Sequence, residues 1–372
     1  MKQKFDVAAF VWPAYTGDEP RSLQFWPKGM GEWQSVMEAQ AKYEGHQWPR
    51  KPLWGYCNEA NPAVMEMQIN EAVRHGVNVF VYDWYWYDRR PYLEQCLNNG
   101  FLKAANKDLM KFYIMWANHN VNTTWDKRLA WDKNCPMIWS GVIDRKEFEI
   151  IVHRWIDNYF TQSNYYKIDG KPVFMIHDVR NLIRGMGSIE AARDALDFFR
   201  EETVKAGFPG LHLQLTVWGG GKKAINISGM DVVIEGSFSD FVKPLGIDSL
   251  SHYHWFSFTD ISRDYAEIIP DAVKEYHSFD DCPATYFPNV SLGWDNNPRF
   301  IHRKKEVCIN NTPENIEKAL RAAKAFSIER NLHPLIYINS WNEWTETSYL
   351  QPDDLYGYGY LDAVKRVFVD ED

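Results

Sequence analysis

Ile336-Tyr337-Ile338-Asn339-Ser340-Trp341-Asn342-Glu343-Trp344-Thr345-Glu346 is the stretch on which fold and chemistry both turn. It opens as a short apolar run with β-branched members behind Pro334 and reads as a buried strand. The strand leads into two carboxylates three residues apart, Glu343 and Glu346, set among Trp341, Trp344 and Tyr349. Parallel α/β proteins present their chemistry where buried strands end. Two acids among indoles are also the minimum equipment for cutting a glycosidic bond.

Working outward, the same strand-then-polar-loop unit recurs. Phe5 to Val11 is an apolar run ending in Trp12-Pro13-Ala14-Tyr15, and residues 16 to 60, rich in Gly, Pro and Trp, read as a long loop with at most one short helix. Pro62 to His75 has helical spacing, with Asn61 as N-cap, Pro62 at the first position and Gly76 as the stop. Further strands are expected at Val77 to Asp83, Phe112 to Trp116, Pro172 to His177, Leu211 to Trp218, Val232 to Glu235, Ala284 to Val290 and Leu335 to Ser340. Helices are expected near 91–105, 145–160, 188–206, 222–228, 262–278 and 313–331, with a last amphipathic segment from Leu355 to Val369. Eight strands alternating with eight helices point to an α/β fold of the (β/α)8 TIM-barrel type, one domain spanning residues 1–372 with long βα loops. An open nucleotide-binding sheet is disfavoured, since no GxGxxG follows the first strand and no GxxxxGK[ST] occurs. Gly219-Gly220-Gly221-Lys222-Lys223 lacks the spacing of a phosphate cradle.

The composition narrows the function. The 372 residues include 17 Trp, 20 Tyr and 21 Phe, more indole than a core alone needs, and an indole offers sugar rings both an apolar face and a donor. A net charge of −9 disfavours nucleic acid as a partner. Five scattered cysteines without a CxxC argue against a disulfide framework or a zinc site. No HExxH, no calcium loop and no GxSxG is present, so neither a metal nor another cofactor is expected. No window approaches a membrane span, and no membrane insertion is expected. The expectation is a soluble monomer acting on an oligo- or polysaccharide; its compartment is cytoplasmic if Met1 is the native start, and periplasmic or secreted if a signal peptide was removed.

In a barrel the strand C-termini converge on one face. The side chains expected there, as substrate-binding groups, are Trp12 and Tyr15; Tyr82, Asp83, Trp84 and Trp86; Trp116, Asn118, His119 and Asn120; Trp218; Glu235; Trp294, Asp295 and Arg299; and Trp341, Asn342 and Trp344. His177 and Asp178 end the fourth strand. Glu343 and Glu346 rank first as the catalytic pair, because three-residue spacing puts both on one side of a turn and close carboxylates cannot both ionise easily. Glu235 and Asp83 are the reserve acids, and a Glu235–Glu343 pair from two strands stays open. A mutually locking Asp295–Arg299 turn is the bland alternative for that loop.

At these residues the chain resembles the WbsX-like domain family, related to glycoside hydrolase family 99, the endo-α-mannosidase-like enzymes. The resemblance is carried by Trp341-Asn342-Glu343-Trp344-Thr345-Glu346, by Tyr349-Leu350-Gln351-Pro352-Asp353 with Tyr356-Gly357-Tyr358-Gly359-Tyr360-Leu361, by Trp294-Asp295-Asn296-Asn297-Pro298-Arg299, by Trp116-Ala117-Asn118-His119-Asn120, and by Lys167-Ile168-Asp169-Gly170-Lys171-Pro172. It implies a (β/α)8 barrel and a retaining hydrolase. Glu343 would act as base on the sugar's own 2-hydroxyl, and Glu346 would protonate the leaving oxygen and then activate water. His119 departs from the family pattern, where many members carry Glu, as do Thr345 and Thr347. A glycosyltransferase in polysaccharide assembly, which the family's older label records, and a non-catalytic carbohydrate-binding barrel are the alternatives.

Overall fold

A computed structural model describes residues 4–130, 134–218 and 238–371. The barrel strands are β1 (Asp6–Val11), β2 (Val79–Tyr87), β3 (Lys111–Trp116), β4 (Lys171–Ile176), β5 (His212–Val217), β6 (Ser249–His252), β7 in two pieces (Thr285–Tyr286 and Asn289–Ser291) and β8 (Leu335–Asn339). All pair in parallel with their neighbours, and Ala8 of β1 sits between Val79 of β2 and Tyr337 of β8. The ring closes through β7, whose first piece pairs with β6 and whose second pairs with β8. Between the pieces, the Phe287 N–H donates to the Leu250 carbonyl and the Pro288 carbonyl accepts from Tyr337 N–H. Proline has no N–H to give a ladder, so the strand is interrupted there.

The helices wrap the outside. The first long one, α1 (Pro62–Arg74), begins as the sequence dictates: the Asn61 side chain accepts from Ala63 N–H and Pro62 opens the helix. Gly76, at φ +93°, ends it. The others are α2 (Arg145–Trp155), α3 (Val179–Met186), α4 (Ile189–Lys205), α5 (Phe238–Leu245), α6 (Tyr265–His277), α7 (Pro313–Glu329) and α8 (Gly359–Phe368).

One expectation fails for an identifiable reason, and one strand of the barrel was not anticipated. In place of a helix over 91–105, β2 continues past the barrel rim and turns back through Arg90–Tyr92, with helical turns only at Cys96–Gly100 and Phe101–Lys103. Asp88 and Arg89, at φ +53° and +61°, make a two-residue hairpin turn without the Asn-Gly signal that normally marks one. The expected strand Val232 to Glu235, the expected helix near 222–228 and the Gly219–Lys223 run lie outside the described residues. Among the described residues the strand that pairs with β5 is Ser249–His252, a polar segment with no apolar run to reveal it.

The interior is packed. Tyr113 of β3 and Tyr337 of β8 meet across the barrel, their hydroxyls 2.6 Å apart and 3.0 and 2.7 Å from the Gln214 amide oxygen of β5. A second aromatic layer joins barrel and helices, centred on Trp155 of α2 between Trp84, Trp116, Phe174 and Phe199. Trp155 is fully buried. Trp155→Ala should therefore cost about 3–5 kcal/mol in urea unfolding, while Leu109→Ala, at an exposed position, should stay within about 0.5 kcal/mol.

Candidate active site

The acid pair sits on a single turn beyond β8. Asn342–Glu343 pairs antiparallel with Ser348–Tyr349, and the tight turn Trp344–Glu346 between them ends at Thr347, φ +57°. In a 3₁₀ turn side chains three apart eclipse, which aims both carboxyls the same way. The backbone around them is fixed at several points. Asn342 clasps Trp12, accepting from its N–H at 2.8 Å and donating to its carbonyl at 2.9 Å. Ser340 Oγ accepts from Glu343 N–H at 2.7 Å, and the Tyr15 hydroxyl accepts from Trp344 N–H at 3.1 Å.

Beneath this turn lies a hub that the sequence did not disclose. The Trp341 and Trp344 indoles donate to the amide oxygens of Gln68 and Gln351 at 2.8 and 2.7 Å. An indole can only donate, so both amides must turn their NH2 groups onward. They meet Glu59 at 3.1 and 2.8 Å, and Asn342 adds a third amide donor at 2.8 Å. Burial pushes the Glu59 carboxyl up to about 7, against the pull of these donors.

Arg299 holds the acids together. Its Nε donates to Glu32 Oε1 at 3.0 Å, its Nη2 to Glu343 Oε1 at 2.6 Å, and its Nη1 to Glu346 Oε1. Glu32 also accepts from the Trp12 indole at 2.5 Å. The second oxygen of Glu343 lies 3.1 Å from the Tyr253 hydroxyl, which is equally 3.1 Å from Asp83 Oδ2. A phenol has one proton, so it cannot donate to both carboxyls, and sharing both contacts requires one of them to be protonated. Burial raises Asp83 well above the usual carboxylate range, with the tyrosines Tyr253 and Tyr85 opposing. Burial also raises Glu343, reinforced by Glu346, with Arg299 opposing. Glu346 is raised by burial against the pull of Arg299. One guanidinium thus serves a cluster of carboxyls that resists complete ionisation near neutrality.

These groups line a cavity of about 280 Å³. Of the residues expected at the site, Trp12, Asp83, His119, Trp218, Arg299, Glu343 and Glu346 line it, as do the strand-end residues His177 and Asp178. The rest of the wall is Tyr85, Trp125, Arg180, Tyr253, His254 and Phe256. Tyr253, His254 and Phe256 follow the unrecognised sixth strand, and Trp125 comes from the β3 loop. Glu32, which bonds Arg299, lies in the long loop after β1. No local pattern marks these residues.

The other expected site residues have structural partners. On β2 successive side chains alternate faces: Asp83 and Tyr85 take the cavity, while Tyr82, Trp84 and Trp86 point to the helices. There Tyr82 packs on Phe101 and Phe112, Trp84 donates to Glu94 and Trp86 to Glu147. Trp116 packs on Phe148 and Trp155. Asn118 bonds the backbone N–H and carbonyl of Asp178, and Asn120 accepts from Gly141 N–H. Trp294 packs on Phe256 and His254 behind the wall. Asp295 is held by His46 at 2.6 Å and by Asn297, so the expected Asp295–Arg299 lock is replaced by two separate clusters. Tyr15, Trp341, Asn342 and Trp344 brace the acid turn as described, and none lines the cavity. Glu235 lies outside the described residues. Among the described residues no group of three or more His, Cys, Asp or Glu is arranged to hold a metal ion, and no helix is long and apolar enough to cross a membrane.

Comparison with known proteins gives the chain its family and its fold relatives. A family model described as "Glycosyltransferase WbsX" matches residues 7–364. Two curated relatives from strains of Xanthomonas campestris pv. campestris, both described as "Uncharacterized protein WxcX", are 25% identical over 363 residues, covering 97% of this chain and 49% of the relative. The chain therefore spans about half the length of the curated relatives it matches. Among solved structures, a "Glycoside hydrolase-like protein" superposes with a TM-score of 0.61 at 15% identity, over 99% of this chain and 94% of the other. The GH99 endo-alpha-mannosidase from Bacteroides thetaiotaomicron superposes at 0.56 and 14% identity, over 100% of this chain and 98% of the other. At such identities the likeness establishes the fold.

Glu59 should make stability fall as pH rises. Its folded value, about 7, lies above its ordinary 4.5, so its stabilising contribution is complete below about 4.5 and is lost as pH climbs through about 7. The loss is on the order of 3 kcal/mol at most. Urea unfolding at pH 5 and pH 8 should show the decline, and Glu59→Gln should flatten that part of it. An unchanged slope in Glu59→Gln would count against a protonated Glu59 at low pH.

Proposed function

This chain belongs to the WbsX family, and from that premise and the site geometry we propose that it is a glycoside hydrolase acting on an oligo- or polysaccharide, with the barrel as its catalytic unit. The observation that carries the proposal is the acid pair on one turn, Glu343 and Glu346 bound to a single guanidinium, opening into a cavity walled by Trp12, Tyr85, Trp125 and Trp218. Aromatic walls bind the apolar faces of a pyranose and exclude water, and the acid cluster supplies the proton that a leaving alkoxide needs.

The steps follow the Glu-x-x-Glu mechanism that the family resemblance implies. Glu343, with its second oxygen at Tyr253, takes the proton of the sugar's 2-hydroxyl. The 2-oxygen attacks the anomeric carbon, the glycosidic C–O bond breaks, and Glu346 gives its proton to the departing oxygen. A 1,2-anhydro sugar results. Glu346, now ionised, takes a proton from water, the water oxygen opens the three-membered ring at the anomeric carbon, and Glu343 returns its proton to the 2-oxygen. Two inversions leave the anomeric configuration unchanged. Arg299 holds the two carboxyls at one sugar and limits how far burial raises them.

A glycosyltransferase, the activity in the family's description, would need cations for a nucleotide diphosphate. Among the described residues the two arginines that line the cavity, Arg299 and Arg180, are each already held by carboxylates, which favours hydrolysis.

On a panel of defined oligosaccharides, Glu343→Gln and Glu346→Gln should each lower turnover by about 10²-fold or more. The first-formed product should keep the anomeric configuration of the substrate by NMR. Near-wild-type rates in both variants, or an inverted product, would refute the assignment.

A further inference from the structure

The cavity wall beyond Tyr253 is built of imidazoles, and neither acid catalysis nor packing accounts for them. His177 directly follows β4 and His254 follows β6 by one residue beyond Tyr253, so adjacent even-numbered strands deliver them to the same rim. His177 lies 5.3 Å from His119, 4.8 Å from Trp218 and 5.6 Å from Tyr253 by ring centres. His254 lies 5.6 Å from Trp218 and against Phe256. All three histidines line the cavity.

Their hydrogen bonding is incomplete in a way that points to a ligand. His177 and His254 are 8% and 4% exposed; the Nδ1 of each is sealed inside without a partner, and Nε2, which no described residue bonds, is the nitrogen left for a molecule in the cavity. Imidazoles placed only for packing would be expected to satisfy at least one nitrogen within the protein. His119 differs: its Nδ1 lies 3.0 Å from the Asn120 carbonyl, which can only accept. That contact puts the proton on Nδ1 and leaves Nε2 with a lone pair for a hydroxyl. Burial holds all three below the usual histidine range, His177 at about 3, so the wall is uncharged at physiological pH.

The remaining charges complete the case. Cavity carboxyls come from Asp83, Asp178, Glu343 and Glu346. Arg299 is committed to Glu32, Glu343 and Glu346, and Arg180 binds both oxygens of Asp178 at 2.9 Å. An incoming anion would meet carboxyls and neutral rings, with no unengaged cation among the described lining residues.

We propose that His119, His177 and His254, with Trp218 and Phe256 as stacking surfaces, form a sugar-binding wall that selects an uncharged pyranose and rejects one bearing a carboxylate. Neutral imidazoles supply donor and acceptor together, which matches sugar hydroxyls that are both. The identification of the cavity as a sugar site rests on the glycosidase proposal; the neutral selectivity rests on the wall.

The test uses the full wild-type chain, in which Arg299 keeps its carboxylates, with sulfur-linked glycosides that resist cleavage. Saturation-transfer NMR and calorimetry would be run with the methyl thioglycosides of glucose, galactose and mannose and with those of the matching uronic acids. At least one neutral glycoside should bind, and its uronide should bind about tenfold more weakly or not at all. His177→Ala and His254→Ala should each weaken the neutral sugar about fivefold or more, with unchanged thermal unfolding, and His177→Gln, which keeps a donor and an acceptor, should recover most of the loss. A uronide that binds as tightly as its neutral counterpart, no binding by any neutral glycoside, or affinities within about twofold of the parent in both alanine variants would overturn the proposal. Neutral-sugar binding by a wild-type protein that cleaves no glycan would refute hydrolysis and leave the wall standing.

Discussion

Everything at the mouth of this barrel depends on one guanidinium shared among three carboxyls. Arg299 comes from the loop after β7, Glu32 from the loop after β1, and Glu343 and Glu346 from the turn after β8, so the cluster fastens three loops over the barrel end. Burying so many ionisable groups is expensive and is offset only by close, directed hydrogen bonds of the kind found here. Removing Arg299 would leave three buried acids facing one another, and losing one partner of such a set typically costs about 3–5 kcal/mol. In the proposed reaction the same arrangement would supply the acid, because a cluster with more carboxyls than cations retains a proton that a leaving oxygen can accept.

The site is built twice over, by charge above and by amides below. Above the turn, Arg299 and Tyr253 set the carboxyl oxygens. Below it, Trp341 and Trp344 orient Gln68 and Gln351 toward Glu59, while Asn342 ties the turn to both Glu59 and Trp12. The indoles beside the two acids act as donors that fix amide orientation, and the rings that line the cavity come from other loops.

That division explains what was legible in the sequence. The terminal strand, the acid pair after it, the Asn61 cap and the alternation that counts out a barrel were all readable, because local pattern and tertiary role agree there. The inward and outward phases of Trp84-Tyr85-Trp86-Tyr87 were not, since all nine residues of β2 are buried and no polar alternation marks the faces. Ser249–His252 carries no apolar signal although each residue is buried, and with that strand went Tyr253, His254 and Phe256. Glu32 and Glu59 sit in the long stretch after β1, where only the closed barrel brings them beneath and beside the acids. The abundance of tryptophan pointed to sugar, yet Trp84, Trp86, Trp116, Trp155, Trp341 and Trp344 serve the scaffold; Trp12, Trp125 and Trp218 reach the cavity.

The central claim is that the acid cluster holds a proton near neutral pH. Carbon-13 NMR of the labelled Asp and Glu carboxyls across the titration range, with Asp83, Glu343 and Glu346 assigned by substitution, reads that directly. At least one of the three should remain protonated at about pH 7, with its transition displaced upward from the ordinary carboxylate range. Three carboxyls that all ionise by about pH 5 would contradict the account.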